Sequence, residues 1–317
     1  MVEAPSMEER FRYDCSGTWF KGSIHVHTTN GSGQLTLPEA AAFYAEAGYD
    51  FICVTDKKVP IPRDDLGDVW PFLVLDGMEL EGFDDQGSFY HVVCLGGVEG
   101  MEDGMDFMEA LKFTRDQGST LIWAHPHSVG NTAAEGVRHN FNGVEVYNHI
   151  NQVAFGMGSG AYHWDAALVH QPDLLGFATD DAHFLEGVPG EKGGWIMVNA
   201  TELSEETILT AIRQGNFYSS NGPAFKSIAI EQGNRIMAET SPVVYTRLTG
   251  QPGKFKYKGA SDPTTVTRTN FRLPDDWTFA RLEIEDSKGK IAWSNPLLRT
   301  LGLISAKHGR RHKPGII

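Results

Sequence analysis

The hydrophobic pattern alternates strand-like with helix-like segments for about two thirds of the chain and then drops the helices. "KGSIHVH" reads as a first strand, and "YDFICVTD" as a second, buried on both faces because its apolar run is continuous. Between them "LTLPEAAAFYAEAG" has the punctuation of a helix. Thr36 can cap it, Pro38 sits in the first turn, Glu39 follows three residues after the cap, and Gly48 can end it. "FLVLDGMEL", "HVVCLGG", "STLIWAHPH", "NGVEVYN", "DLLGFATDDAH" and "GWIMVNA" follow as strands. "MDFMEALKFTRDQG", closed by Gly118, and "SEETILTAIRQG", capped by Ser204, are amphipathic helices, and the stretch from about Phe155 to His170 is a third. This alternation predicts an α/β fold built from parallel βαβ units. Beyond "FYSSNGPA" only short strands remain: "FKSIAIE", "VVYTRLTG", "FKYKG", "TVTRTNFRL", "ARLEIED" and "KIAWSN". We expect a first unit over residues 1–222 and a small antiparallel, sandwich-like β domain over 223–317.

Composition narrows the function without naming it. The 317 residues are 41% hydrophobic and 11% aromatic, which suits a packed core. The net charge of −14 disfavours nucleic acid or an anionic membrane as the main partner. The one basic cluster, "AKHGRRHKPG" near the C-terminus, reads as a solvated tail. The N-terminal segment does not resemble a signal peptide, and no apolar run reaches membrane-spanning length. Cys15, Cys53 and Cys94 are scattered, so a disulfide framework is not expected and a cytoplasmic setting is.

Candidate chemistry begins with His25 and His27. Residues i and i+2 of a strand point the same way, so both imidazoles can converge on one point. The plain alternative is an exposed polar strand face. What favours a site is the company at the other strand ends: Asp56 and Lys57 after the second strand, Glu79, His91, His125 and His127, Glu145, then Asp180, Asp181 and His183. In parallel α/β folds the carboxyl ends of strands form the active-site face. His139, His149, His163 and His170 fall elsewhere and read as ordinary.

The ordered set "HVHT", "VTD", "DGMELEG", "HVVCLG", "LIWAHPH", "GVEVYN" and "ATDDAHF" resembles the PHP family, named for polymerase and histidinol phosphatase, over roughly Gly22 to Gly222. The resemblance implies a distorted (β/α)7 barrel holding two or three metal ions, in a family whose members mostly hydrolyse phosphoesters. It places His25, His27, Glu79 and an aspartate on one metal, with Glu79 bridging to a second metal on His91 and His125. The aspartate could be Asp180 or Asp181, and His183 would face a third position. Two departures stand out. Lys57 replaces the histidine of the usual "TDH", and "TTNGSG" after the histidine pair offers no acidic residue. Ammonium is a poor ligand, so we expect a binuclear site of Zn, Mn or Fe with Lys57 in the third-metal region. The amidohydrolase superfamily also begins with His-x-His, but its bridging lysine comes from the fourth strand, and Lys57 ends the second. The ending "ARLEIEDSKGKIAWSNP" is similar to the carbaryl-hydrolase subgroup, which acts on a carbamate aryl ester.

The resemblance therefore implies a hydrolase acting on a small-molecule ester through a bridging hydroxide. A phosphoester ranks first, a carboxylic or carbamic ester second, and a non-catalytic scaffold third. Lys57 and His183 are the expected oxyanion donor or acid, and a depressed pKa is expected for Lys57. Trp123, Tyr147, Phe184 and Trp195 are candidates for an apolar pocket. Lys57, Lys58, Arg63 and Arg138 are few cations for a phosphomonoester. The sequence does not reveal the oligomeric state.

Overall fold

The computed structural model describes residues 13–57, 72–102, 104–231, 235–259 and 265–298. Lys58, Arg63, the N-terminal segment through residue 12 and the basic tail lie outside them.

Chain order begins β1 (Thr18–Val26), α1 (Leu37–Glu46), β2 (Phe51–Val54), β3 (Leu73–Phe83), β4 (Phe89–Leu95), α2 (Phe107–Asp116) and β5 (Thr120–Trp123). It continues α3 (Pro126–Val129), α4 (Ala133–Gly136), β6 (Gly143–Asn148), α5 (His149–Phe155), α6 (Ala161–Ala167), β7 (Leu175–Thr179), β8 (Trp195–Ala200), α7 (Glu205–Arg213) and β9 (Phe217–Ser220). The remainder is all strand: β10 (Phe225–Glu231), β11 (Arg235–Val243), β12 (Tyr245–Thr249), β13 (Phe255–Gly259), β14 (Val266–Arg272), β15 (Phe279–Glu285), β16 (Ile291–Ser294) and β17 (Leu297–Leu298). The Thr36 and Ser204 caps fall where the sequence puts them: the Thr36 amide donates to Glu39 at 2.8 Å, and Ser204 Oγ accepts from the Thr207 amide at 3.4 Å. Asp106 adds another, accepting from the Glu109 amide at 2.9 Å. The single helix expected over Phe155–His170 is instead α5 and α6, because Gly156 closes the first in a left-handed conformation, φ 71°.

A long mixed sheet runs β13-β12-β15-β16-β9-β8-β1-β2-β3-β4-β5-β6-β7, and a second, antiparallel sheet runs β10-β11-β14. β1–β2–β3 and β5–β6–β7 pair in parallel, but β3–β4 and β4–β5 are antiparallel, as is β1–β8. The turn from β3 to β4 is too short for a crossover helix, so β4 must return alongside β3. No closed barrel is seen among the described residues. Among the described residues no ladder pairs β7 with β1; just past the end of β7 a Val26–Ala182 bridge joins them, where the His27 amide donates to Ala182 O at 2.9 Å and the Ala182 amide to His25 O at 3.1 Å.

The main sheet continues past residue 222. β16 pairs with β9, carrying the main sheet into β15, β12 and β13. Phe279 and Trp293 share one buried cluster with Trp123 and Trp164, and Asn295 accepts a hydrogen bond from the Gly176 amide of β7. The β10–β11–β14 sheet packs its apolar face, including Ile228, Ile236 and Phe271, against Leu248, Leu282 and Ile284. That is a two-layer arrangement with one layer borrowed from the main sheet. No helix of the described residues is long and apolar enough to cross a membrane.

Candidate metal centre

β1 turns His25 and His27 to one side, and the loop after β7 supplies Asp181. His25 Nε2, His27 Nε2 and Asp181 Oδ1 stand 3.2 Å from one another in all three pairings. The β3–β4 hairpin and the end of β5 supply a second group. Glu79 Oε1 lies 2.6 Å from His91 Nδ1 and 3.3 Å from His125 Nε2. Glu79 also spans the two groups, with Oε2 at 3.5 Å from His27 Nε2 and Oε1 at 3.6 Å from His25 Nε2. Neighbouring donors around a tetrahedral ion at about 2.0–2.1 Å stand roughly 3.3 Å apart, a spacing met by the first group and by Glu79 with His125, while Glu79 and His91 stand at hydrogen-bond distance. Each is a set of three donors that could hold a metal. The antiparallel turn of the hairpin explains how His91, at the start of its strand, joins residues that end theirs: Glu79 and Glu81 lie near the end of β3 where β4 begins, with Glu81 paired in register to His91.

Behind these groups stand carboxylates and amides that orient them. Glu145 Oε1 is 2.7 Å from His25 Nδ1 and 2.8 Å from Thr179 Oγ1, while Oε2 accepts from the His125 amide and from Asn148 Nδ2, each at 2.8 Å. Glu145 therefore supports the centre without entering it. Asp56 accepts from the Thr28 amide at 2.7 Å and from the Thr28 hydroxyl at 2.5 Å. The loop after the histidine pair presses on that carboxylate: a Cβ at Gly31 would sit 2.5 Å from Asp56 Oδ1, and one at Gly33 2.1 Å from His27 O. His125 and Asp181 both hold left-handed backbone, φ 24° and 55°, an uncommon state for non-glycine residues that functional sites retain.

Of the two aspartates left open by the sequence, the structure brings Asp181 to the donors. Asp180 is turned away, with Oδ2 accepting from Tyr44 OH and the Lys192 amide and Oδ1 from the Gly193 and Gly194 amides, all at 2.8 Å. It pins the loop rather than presenting a ligand. His183 lies beside the first group, its ring centroid 4.3 Å from that of His27 and its Nδ1 2.8 Å from Asp181 O.

Electrostatics follow from this crowding. Burial works against a charged His25, yet Asp181 and Glu145 outweigh it and hold its pKa well above the ordinary imidazole value. Burial likewise opposes ionisation of Glu79, but His125, His25 and His91 hold its carboxyl well below the usual range. Burial pushes His183 down. Lys57 corrects an expectation. Burial would lower its pKa, but Glu79 at 3.6 Å and a direct ion pair with Glu81 raise it instead. Glu81, which the sequence analysis does not single out, is the closest partner of Lys57. Its signal was present, because Glu79 and Glu81 share strand parity in "MELEG".

Lys57, Glu79, His91, His125, Asp181 and His183 line one cleft of about 900 Å³. None of Trp123, Tyr147, Phe184 and Trp195 lines it. Trp123 and Tyr147 are buried in the core, and Phe184 and Trp195 pack against the cluster around Tyr44, because aromatic residues beside strand ends are drawn into the layers beneath the site. Arg138 is taken up by Asp84 at the β3–β4 turn. His139 also meets Asp84, at 3.0 Å, and His163 meets Asn131 O, at 3.0 Å. His127 is exposed.

No family model matches the chain, and no curated protein matches it. Among solved structures, it is similar to a two-domain protein from Bacteroides vulgatus containing a predicted PHP-like metal-dependent phosphoesterase. That likeness has 16% identity and a TM-score of 0.49, covering 90% of this chain and 97% of that one. A candidate metal-dependent phosphoesterase from Bifidobacterium adolescentis aligns at 11% identity and TM-score 0.42, over 53% of this chain and 89% of that one. An amidohydrolase from Chromobacterium violaceum, with bound sulfate and no metal, aligns at 12% and 0.41, over 54% and 90%. Likenesses this shallow carry no argument about chemistry, which rests on the donor geometry.

Proposed function

We propose that this chain is a PHP-type metal-dependent hydrolase of a small-molecule ester, its β1–β7 curl a distorted (β/α)7 barrel left open between β7 and β1. The observation that carries the reading is the pair of donor groups, His25/His27/Asp181 and Glu79/His91/His125, linked through Glu79 at coordination spacing. Mixed nitrogen and oxygen donors suit Zn, Mn or Fe. When bound, a pair of such cations supplies Lewis acidity and a water acidic enough to ionise near neutral pH.

The chain's own residues do the rest. Glu145 accepts the Nδ1 proton of His25, leaving Nε2 free to face the centre. His183 Nδ1 donates to Asp181 O, which leaves its Nε2 unprotonated and able to accept a proton. Lys57 remains a cation and can donate from Nζ to an oxygen that gains charge during attack on phosphorus or carbon. A phosphoester is the first reading. A carbon ester is favoured by one observation, that Lys57 is the single Lys or Arg among the described residues of the cleft.

Metal analysis of the purified chain, paired with Asp181→Asn, tests the reading. We expect two equivalents of a divalent transition metal per wild-type chain, loss of at least one in the variant, and metal-dependent hydrolysis of phosphate or carboxylate aryl esters. Absence of stoichiometric metal after reconstitution would leave the scaffold reading in its place.

A further inference from the structure

One wall of the cleft is built for something other than water. With the imidazoles and carboxylates, Phe89, Val129, Ile150, Phe155, Leu185 and Val188 line the same cleft, drawn from the start of β4, from α3, from α5 and from the loop after β7. Phe155 is 67% exposed and Leu185 37%. Neither is satisfied by the protein's own core, and both lie on the cleft that holds Glu79, His125 and Asp181. Large exposed apolar side chains grouped beside convergent polar groups are the ordinary makeup of a ligand pocket. The charge lining points the same way. Lys57 is already paired with Glu81, so no described lysine or arginine of the cleft is free to meet a second anionic group on a ligand.

We propose that the substrate is an ester whose non-reacting portion is uncharged and apolar, an aryl or branched-alkyl group seated against Phe155, Leu185 and Ile150. This rests on the hydrolase reading and narrows it. Sugar phosphates, nucleotides and other polyanionic or heavily hydroxylated esters are excluded from good turnover, because the wall offers their polar groups no partners. An apolar substituent leaves water on entry and covers side chains that are otherwise wetted, a gain that polar esters of equal size do not share. Whether the reacting centre is phosphorus or carbon is left to the assay, since the apolar seat serves either.

The test uses the full chain loaded with metal. Binding of phenylphosphonate against methylphosphonate, and of benzoate against acetate, is measured by calorimetry; each pair shares its charged head and differs only in the apolar group. In parallel, kcat/KM is measured for 4-nitrophenyl esters carrying methyl or phenyl substituents on phosphodiester and carboxylate centres. We expect the phenyl member to be favoured about 10-fold or more in binding, and in turnover within whichever series is hydrolysed. Phe155→Asp and Leu185→Asp should each collapse that preference with metal content unchanged, and Phe155→Leu should retain most of it. Equal binding of both members of each pair, preference for an unsubstituted phosphomonoester, or a preference that survives both aspartate variants would overturn the inference. Selective binding of the phenyl ligands without hydrolysis of any ester would instead sustain the seat and overturn the hydrolase reading beneath it.

Discussion

Nδ1 of His25 lies 2.7 Å from Oε1 of Glu145, and both side chains are fully buried. Such a carboxylate fixes which nitrogen carries the proton and raises the basicity of the other. Glu145→Gln keeps the shape and removes the charge. It should weaken metal affinity by about 10–100-fold in a competition titration, the usual scale for such partners. An unchanged affinity would reduce Glu145 to a packing residue.

Lys57 stays protonated through the neutral range, since Glu79 and Glu81 outweigh the effect of its burial. Its role in turnover would then be that of a fixed donor, not a titrating acid. Lys57→Ala should lower kcat by about 100-fold with metal content unchanged, the scale of one oxyanion donor. The shape of the pH–rate profile should not change near neutrality. Wild-type turnover in the variant would make Lys57 a bystander.

The β3–β4 hairpin that carries Glu79 and His91 is tied down at its turn by Asp84, which accepts from the Gln86 and Ser88 amides at 2.9 Å and pairs with Arg138. Burial alone would raise its pKa, but Arg138, the Ser88 amide and His139 carry it below the ordinary aspartate range. A depressed carboxyl stabilises the fold above its unfolded pKa, and that contribution is lost as pH falls below it. The melting temperatures of wild type and Asp84→Asn should therefore differ at pH 6, with the gap narrowing progressively as pH falls from about 4 toward the lowered folded-state value. A constant gap across that window would place the effect of Asp84 in shape rather than charge.

No candidate ligand lies beyond residue 223, which by itself would make truncation there clean. Continuity of the core argues otherwise. Arg281 on β15 holds Asp165 of α6 in a two-pronged ion pair at 2.8 and 2.9 Å, and Phe279 is fully buried among residues of the first unit. The truncated chain should be insoluble or molten by near-ultraviolet circular dichroism. Phe279→Ala in the full chain should cost about 3–5 kcal/mol in denaturant unfolding. A soluble, metal-binding fragment would establish residues 1–222 as an independent unit.

The strand ends and the His-x-His spacing were readable because strand parity is a local property: His25 and His27 share a face whatever the rest of the chain does. Asp180 and Asp181 were not separable, since the choice depends on a left-handed residue at 181 and on amides from Lys192 to Gly194 that reach Asp180 from a later loop. The return of β4 alongside β3 could have been read from the short "DDQGS" between them. The apolar wall could not, because α5 swings Ile150 and Phe155 over the cleft only once Gly156 has ended that helix. Pairing of β16 with β9 joins Ala292 to Ser220 across a long stretch of chain, and nothing local in either strand announces it.

The gap between β7 and β1 gives the first donor group a mechanical meaning. β8 occupies the edge of β1 as far as Gly22, and beyond that, among the described residues, an isolated Val26–Ala182 bridge stands in place of a ladder to β7. His25 and His27 flank Val26 on one lip of this seam, and Asp181 precedes Ala182 on the other. An ion gripped by all three is a rivet across the place where the sheet is least sewn together. Stripping it should let the wall part there first, so that the amides of His27 and Ala182 trade their protons for deuterium sooner than those of β2 and β3, and the molecule's grip on metal and the closure of its wall become one property.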